Sequence, residues 1–238
     1  MTSIYKIAEL YAKIAPVYEP LLSQAKAYLS DEIPSEVDCN LLIGKNTFDE
    51  YKTRYPDASD SLIEYMETGA IFYRSLISHA GFLLHASAVV YENKAYLFSA
   101  PSGTGKSTHT SLWLKEFPGA EILNDDKPAI RIFDDGIYVY GTPWSGKTDQ
   151  SINRKVPLQG IAFLKRGEEN SIAEMPSINA LANLLNQTIR PGQKEYANAL
   201  LDLINQIIKR VPIYQLSCNM DPSAAHLSYE TMSKGEIK

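Results

Sequence analysis

Lys106 and Ser107 stand at the end of a run of small and turn-forming residues, Ala100-Pro101-Ser102-Gly103-Thr104-Gly105, and Thr108 follows them. The apolar stretch Ala95 to Ser99 ahead of that run has the length of a buried strand. Behind it, Thr108 to Phe117 shows helical spacing in Leu112, Trp113 and Glu116. Strand, small-residue loop and a helix opening on Lys-Ser form the layout of a phosphate-binding P-loop. The chemistry accounts for the residue types. Successive backbone N–H groups can turn inward on an anion only where side chains are absent, and the helix N-terminus adds partial positive charge. Lys106 would reach the β- and γ-phosphates of a nucleoside triphosphate, and the Ser107 hydroxyl would ligate Mg²⁺. The first position of the G-x-x-x-x-G-K-[ST] pattern is Ala100, the smallest departure that adds a Cβ. ATP and Mg²⁺ are the expected cofactors.

Asn124-Asp125-Asp126 closes a short predicted strand, Glu121 to Asn124, soon after the helix. Successive strand residues face opposite ways, so the carboxylates can divide the work of phosphoryl transfer, one toward Mg²⁺ and one toward an acceptor hydroxyl. Asn and Asp also favour turns and Lys127-Pro128 follow, so an ordinary turn is the competing reading. His85 falls in a predicted strand over Phe82 to Tyr91; a histidine on such a strand is ordinarily packed, and His79, His109 and His226 default to structure or surface. Gly141-Thr142-Pro143-Trp144-Ser145-Gly146-Lys147 offers a flexible backbone, hydroxyls, a ring and a cation. Trp144 and Lys147 are therefore candidate substrate contacts, with burial of Trp144 in the core the equal alternative. Arg190 ends a predicted helix before Pro191-Gly192 and would either compensate the helix dipole or touch phosphate or acceptor.

The elements holding these residues are legible as an alternating pattern. Ile4 to Ala15 is ambiguous and leans to strand; Tyr18 to Leu29 reads as helix and Val37 to Gly44 as strand. A short helix over Thr47 to Tyr55 precedes a long one, capped by Ser59 or Asp60 and running from Leu62 to Gly81 with a break near Gly69. Ala129 to Phe133 and Ile137 to Gly141 flank Asp134-Asp135-Gly136, a hairpin signal. Gly160 to Lys165 is an apolar strand that Ser171 to Met175 could join. Helices over Ser177 to Ile189 and Lys194 to Arg210, a strand over Ile213 to Ser217 and a helix opened by Asp221-Pro222 complete the chain. The 238 residues are 45% hydrophobic and 21% charged with net charge −5, ordinary for a globular protein. Without a basic cluster, nucleic acid is not an expected partner. No apolar run of about 20 residues and no signal-peptide layout is present, and Cys39 and Cys218 make neither a disulfide framework nor a metal site. The expectation is a cytoplasmic protein without a membrane partner.

L-H-A-S-A-V, A-P-S-G-T-G-K-S and N-D-D-K-P together resemble the catalytic domain of HPr kinase/phosphorylase, and more distantly ATP-dependent phosphoenolpyruvate carboxykinase. With Y-G-T-P-W-S-G-K they are similar to a group of uncharacterised HPr-kinase-like proteins over the entire chain. The resemblance implies an α/β fold: a P-loop nucleotide-binding core of the HPr kinase/PEP carboxykinase type, a mixed sheet with flanking helices. It implies one domain over residues 1–238, with 1–80 a family-specific N-terminal part and 81–238 the kinase core. It matches Asp125 to the base that takes the acceptor's proton and Asp126, with Ser107, to Mg²⁺. It also makes a site residue of His85, which stands at the matching distance ahead of Ala100. The E-I-R-G signature of HPr kinase is absent, and the N-terminal residues do not match its N-terminal domain. The implied reaction is transfer of the γ-phosphoryl group from ATP to a hydroxyl acceptor, a serine of a peptide or protein or a small-molecule alcohol. The alternatives are a non-catalytic nucleotide-binding switch and a carboxykinase-like enzyme. The hexamer of HPr kinase makes a homo-oligomer an option.

Overall fold

The computed structural model describes residues 2–237. It opens with a hairpin in which β1 (Ser3–Ile7) pairs antiparallel with β2 (Leu10–Ile14). The turn residues Ala8 and Glu9 have φ of 51° and 64°, the doubly positive geometry that follows strand twist. Neither is a turn-forming type, so the ambiguous stretch resolves into two strands without a sequence mark between them. The helix expected over Tyr18 to Leu29 shrinks to α1 (Leu21–Gln24) and a 3-10 turn over Ala25–Tyr28, while Leu29 bridges to Tyr5. Only β3 (Cys39–Asn40) survives of the strand expected over Val37 to Gly44, and it runs parallel to β2. Next come α2 (Lys45–Arg54) and α3 (Asp60–Ser78). Ser59 Oγ caps α3 by accepting from Leu62 N, and the helix runs unbroken through Gly69, where the sequence suggested a break.

The expected strand over Phe82 to Tyr91 is two strands, β4 (Gly81–Leu83) and β5 (Ala86–Tyr91), and His85 lies at the break between them. The two halves pair with different strands of the sheet. Then follow β6 (Lys94–Ser99), α4 (Lys106–Glu116), β7 (Glu121–Asn124), β8 (Ala129–Phe133), β9 (Gly136–Tyr140) and β10 (Lys155–Arg166). The chain continues through β11 (Ser171–Glu174), α5 (Ser177–Asn186), α6 (Lys194–Arg210), β12 (Ile213–Cys218) and α7 (Ser223–Met232). The main sheet is mixed and nine-stranded, in the order β4-β8-β9-β10-β6-β5-β7, with β12 added to β10 and β11 to β12. β10 is the branching strand. Residues Lys155 to Pro157 pair antiparallel with β9, the strand pairs parallel with β6 from Leu158 on with a bulge at Gln159, and it pairs parallel with β12 from Ile161 on. β11 pairs antiparallel with β12, not with β10 as expected. Helix α5 stops at Asn186, so Arg190 lies in the following loop and is not at a helix end. Asp221 Oδ1 accepts from Ser223 N at 2.9 Å, so it satisfies the first turn of α7, one residue later than the sequence suggested.

The central strands are buried on both faces, as near-continuous apolar runs require. Alternate residues divide between two clusters. Val90, Leu97, Ile161 and Phe163 pack under α5 and α6 through Leu184, Leu200, Leu203, Ile204 and Ile207. Val89, Tyr96, Phe98, Ala162 and Leu164 pack on the other side with Leu112 and Trp113 of α4 and Ala225 and Met232 of α7. A third cluster joins the N-terminal hairpin and α3 to the main sheet: Ile7, Leu10, Ile14, Phe72 and Leu76 share it with Leu83, Ala129, Tyr140 and Trp144. Among the described residues no helix is long and apolar enough to cross a membrane.

Candidate functional site

Three chain crossings meet at one end of the main sheet because of strand direction. β5 is antiparallel to both β6 and β7 and lies between them, so β5 begins where its two neighbours end. The start of β5 brings His85, the end of β6 brings the loop from Ala100 to Gly105, and the end of β7 brings Asp125 and Asp126. Backbone contacts tie the three together. Ala86 N donates to Asp126 O at 3.1 Å, and Ser99 Oγ donates to His85 O at 2.8 Å. These ends frame a cleft of about 520 Å³ lined by Ser102, Gly103, Gly105, Lys106, Ser107 and Thr108 on one side and His85, Asp125 and Asp126 on the other.

The loop's glycines are required by conformation rather than space. Gly103 and Gly105 have φ of +78° and +122°, and a Cβ on either would meet nothing within 4 Å. Only glycine adopts such backbone without strain. Ala100 is buried and is not among the residues with positive φ, so the alanine in place of glycine is tolerated. Pro101 and Thr104 do not line the cleft; Thr104 N closes a turn on Pro101 O at 3.2 Å. Lys106 Nζ donates to Ala100 O at 2.9 Å, folded back on the loop it follows. Burial pushes the Lys106 ammonium below its usual range, and Asp126 and then Asp125 pull it back up. From the end of β10, Arg166 holds the loop's outer face, donating to Thr104 O at 3.2 Å and Gly103 O at 2.5 Å.

Asp125 and Asp126 face the cleft with different partners. Asp125 is 9% exposed, and its carboxylate is approached by three hydroxyls. Ser87 Oγ donates to Oδ1 at 2.6 Å, Thr148 Oγ1 donates to Oδ2 at 2.8 Å, and Ser107 Oγ lies 3.3 Å from Oδ2. Asp126 instead faces His85, with Nε2 to Oδ1 at 3.3 Å, and Lys127, with Nζ to Oδ2 at 3.5 Å. Burial raises the Asp126 carboxyl, but His85 and Lys127 outweigh it and hold the group below its ordinary value. The pairing inferred from sequence, Asp126 with Ser107, is therefore corrected: the carboxylate beside Ser107 is Asp125. The turn reading holds, since Asn124 Oδ1 accepts from Asp126 N at 3.1 Å and Lys127 N at 2.7 Å, and it does not displace the two acids from the cleft. That side-chain turn is what presents the two acids.

The stretch after β9 covers the cleft. Lys147 lines it and is exposed. Trp144 does not: it is 0% exposed and stacks on Phe72 with centroids 5.1 Å apart, so its expected role as a substrate contact is corrected to packing. Arg190 is exposed and is not among the cleft residues, which removes the geometric basis for its expected contact. Gly146, with φ +72°, sits so close to Asp126 that a Cβ there would lie 2.9 Å from the Asp126 Cβ. Its N–H donates to Tyr65 Oη at 3.0 Å and its carbonyl accepts from Gln24 Nε2 at 3.2 Å. Ser87, Thr148, Arg166, Tyr65 and Gln24 were not singled out from sequence. Ser87 lies inside the L-H-A-S-A-V motif and Thr148 directly follows G-T-P-W-S-G-K, whereas the other three come from distant segments that only folding delivers.

Mg²⁺ asks for few protein oxygens and keeps water and phosphate oxygens around it. Among the described residues no group of three or more His, Cys, Asp or Glu side chains is placed to hold a metal by itself. The Ser107 hydroxyl and the Asp125 carboxylate are a hard-oxygen pair of the sparse kind that Mg²⁺ accepts beside phosphates.

The family model for SynChlorMet cassette protein ScmC matches residues 54–224, well over half of the chain. The chain belongs to the ScmC family. Among curated proteins none matches it. Among solved structures, one similar chain is the Hpr(Ser) kinase/phosphatase from Coxiella burnetii. It matches at TM-score 0.34 and 12% identity, over 63% of this chain and 95% of that one. At that similarity no residue role passes to this member of the ScmC family. Its cleft is read from its own geometry.

Proposed function

We propose that the protein is an ATP- and Mg²⁺-dependent phosphotransferase that moves the γ-phosphoryl group to a hydroxyl, of a serine in a peptide or protein or of a small-molecule alcohol. The observation that carries this reading is one cleft in which a two-glycine loop, Lys106 and Ser107 face a carboxylate already hydrogen-bonded by hydroxyls. The loop amides and the N-terminus of α4 would bind phosphate, and Lys106 would exchange the Ala100 carbonyl for a phosphate oxygen. Ser107 and one oxygen of Asp125 would hold Mg²⁺, which when bound neutralises charge on the phosphates. The other oxygen of Asp125 would orient the acceptor hydroxyl and receive its proton. Asp126, kept ionised beside His85 and Lys127, would hold Lys106 protonated in a half-buried site.

Calorimetric titration with ATP and MgCl₂ tests binding. Transfer is tested with γ-labelled ATP against free serine, sugars, polyols and any peptide encoded beside the gene. Asp125→Asn should abolish transfer and leave ATP binding largely in place; Lys106→Ala should reduce transfer more than binding. Wild-type turnover in Asp125→Asn would remove that residue from the mechanism. Absence of ATP binding would end the reading, and binding with no transfer to any acceptor would make the protein a nucleotide switch.

A further inference from the structure

We propose that Thr148 is itself a phosphoryl acceptor, and that the protein phosphorylates its own Thr148 in cis from a nucleoside triphosphate. This rests on the phosphotransferase reading and deepens it by naming an acceptor. Thr148 Oγ1 donates to Asp125 Oδ2 at 2.8 Å, inside the cleft that Lys106 and Ser107 also line. Of the three hydroxyls at Asp125, Thr148 is the one able to serve. Ser87 is 0% exposed within β5, with no room for a phosphoryl group. Ser107 lies in the first turn of α4, where its oxygen is assigned to the cation. Thr148 is exposed on a short 3-10 turn, Gly146–Thr148, at the mouth of the cleft.

That turn is held in place. Tyr65 and Gln24 grip the N–H and carbonyl of Gly146, and the backbone there rests against the Asp126 side chain. A hydroxyl fixed at the proton-accepting carboxylate needs no separate binding step, which is the entropic advantage of an intramolecular acceptor. In the step, Thr148 Oγ1 forms a bond to the γ-phosphorus while the bond from that phosphorus to the β–γ bridging oxygen breaks. The electron pair leaves with the nucleoside diphosphate, and the hydroxyl proton passes to Asp125. The products are phosphothreonine and nucleoside diphosphate. Once Asp125 has released that proton to solvent, a phosphate dianion on Thr148 repels its carboxylate, so the turn leaves it and opens that position to an external acceptor.

The test incubates the full chain with γ-labelled ATP and MgCl₂, measures ADP release in the same tube, and identifies the labelled amino acid after hydrolysis. The expected result is phosphothreonine, mapped to the peptide holding Thr148, at a labelled fraction independent of protein concentration. Thr148→Val should lose the label; Thr148→Ser should keep it and convert it to phosphoserine; Lys106→Ala and Asp125→Asn should stay unlabelled. ADP release without phosphothreonine, or undiminished label in Thr148→Val, overturns the proposal and leaves the phosphotransferase reading standing. Labelling that climbs with protein concentration overturns the cis assignment. No ATP binding and no ADP release overturn both readings.

Discussion

Acidification should weaken this fold through one side chain, His109, on the helix that carries Lys106 and Ser107. The ring is 2% exposed and packs edge-on against Phe98 with centroids 4.6 Å apart. Its Nε2 meets Ser228 Oγ at 3.2 Å, while Nδ1 is buried without a hydrogen-bond partner. Burial lowers its pKa from 6.5 to about 4. The folded value lies below the unfolded one, so the unfolded chain takes the proton first. The stability is present in full above the unfolded pKa and is lost as pH falls toward the folded pKa. The separation of the two values corresponds to about 3 kcal/mol at full protonation, and about 2 kcal/mol of it is lost between about pH 7 and pH 5. Urea unfolding across that range, followed by tryptophan fluorescence, measures the loss in the wild type and in His109→Gln, which cannot titrate. The variant should be the weaker at neutral pH, and the gap between the two should close by about 2 kcal/mol on acidification. A gap constant to within about 0.5 kcal/mol would show that His109 does not carry the dependence. His109 N bonds Gly105 O at 2.9 Å in the first turn of α4, so a shortfall here would also detach acid sensitivity from the end of the helix that lines the cleft.

Trp144→Ala should cost about 3–5 kcal/mol in urea unfolding, the range for deleting a large buried ring. Lost turnover at unchanged stability would instead restore Trp144 to the substrate side. Arg166→Ala removes both donors from the outer face of the loop. For an exposed guanidinium this should cost about 1 kcal/mol, or roughly fivefold in ATP affinity by calorimetry. Equal affinity in wild type and variant would mean that the loop holds its shape unaided.

Local chemistry was legible in the sequence wherever a short segment carried its own conformational instruction. Gly103 and Gly105 mark backbone only glycine tolerates, Ser59 caps its helix, and the continuous apolar run of β6 is a strand buried on both faces, Leu97 on one and Phe98 on the other. Errors came where neighbours decided. Phe82 to Tyr91 is one apolar run, yet it breaks at His85 because β4 answers to β8 and β5 to β6 and β7. Trp144 sits in a motif full of ligand-like groups, but Phe72 and Tyr73 of α3 enclose its ring.

The sequence by itself determined that a glycine-bearing loop follows a buried strand and opens a helix, and that two acids follow the next strand. Which acid meets Ser107 is not a property of either aspartate or of their order. It depends on how the Asn124 turn rotates the chain leaving β7, and on which hydroxyls from β5 and the Gly146–Thr148 turn arrive beside it. Tertiary structure therefore decided that Asp125 takes that place and Asp126 faces His85. A carboxylate's role follows the donors within a few ångströms of it, and those donors come from segments far apart in the chain.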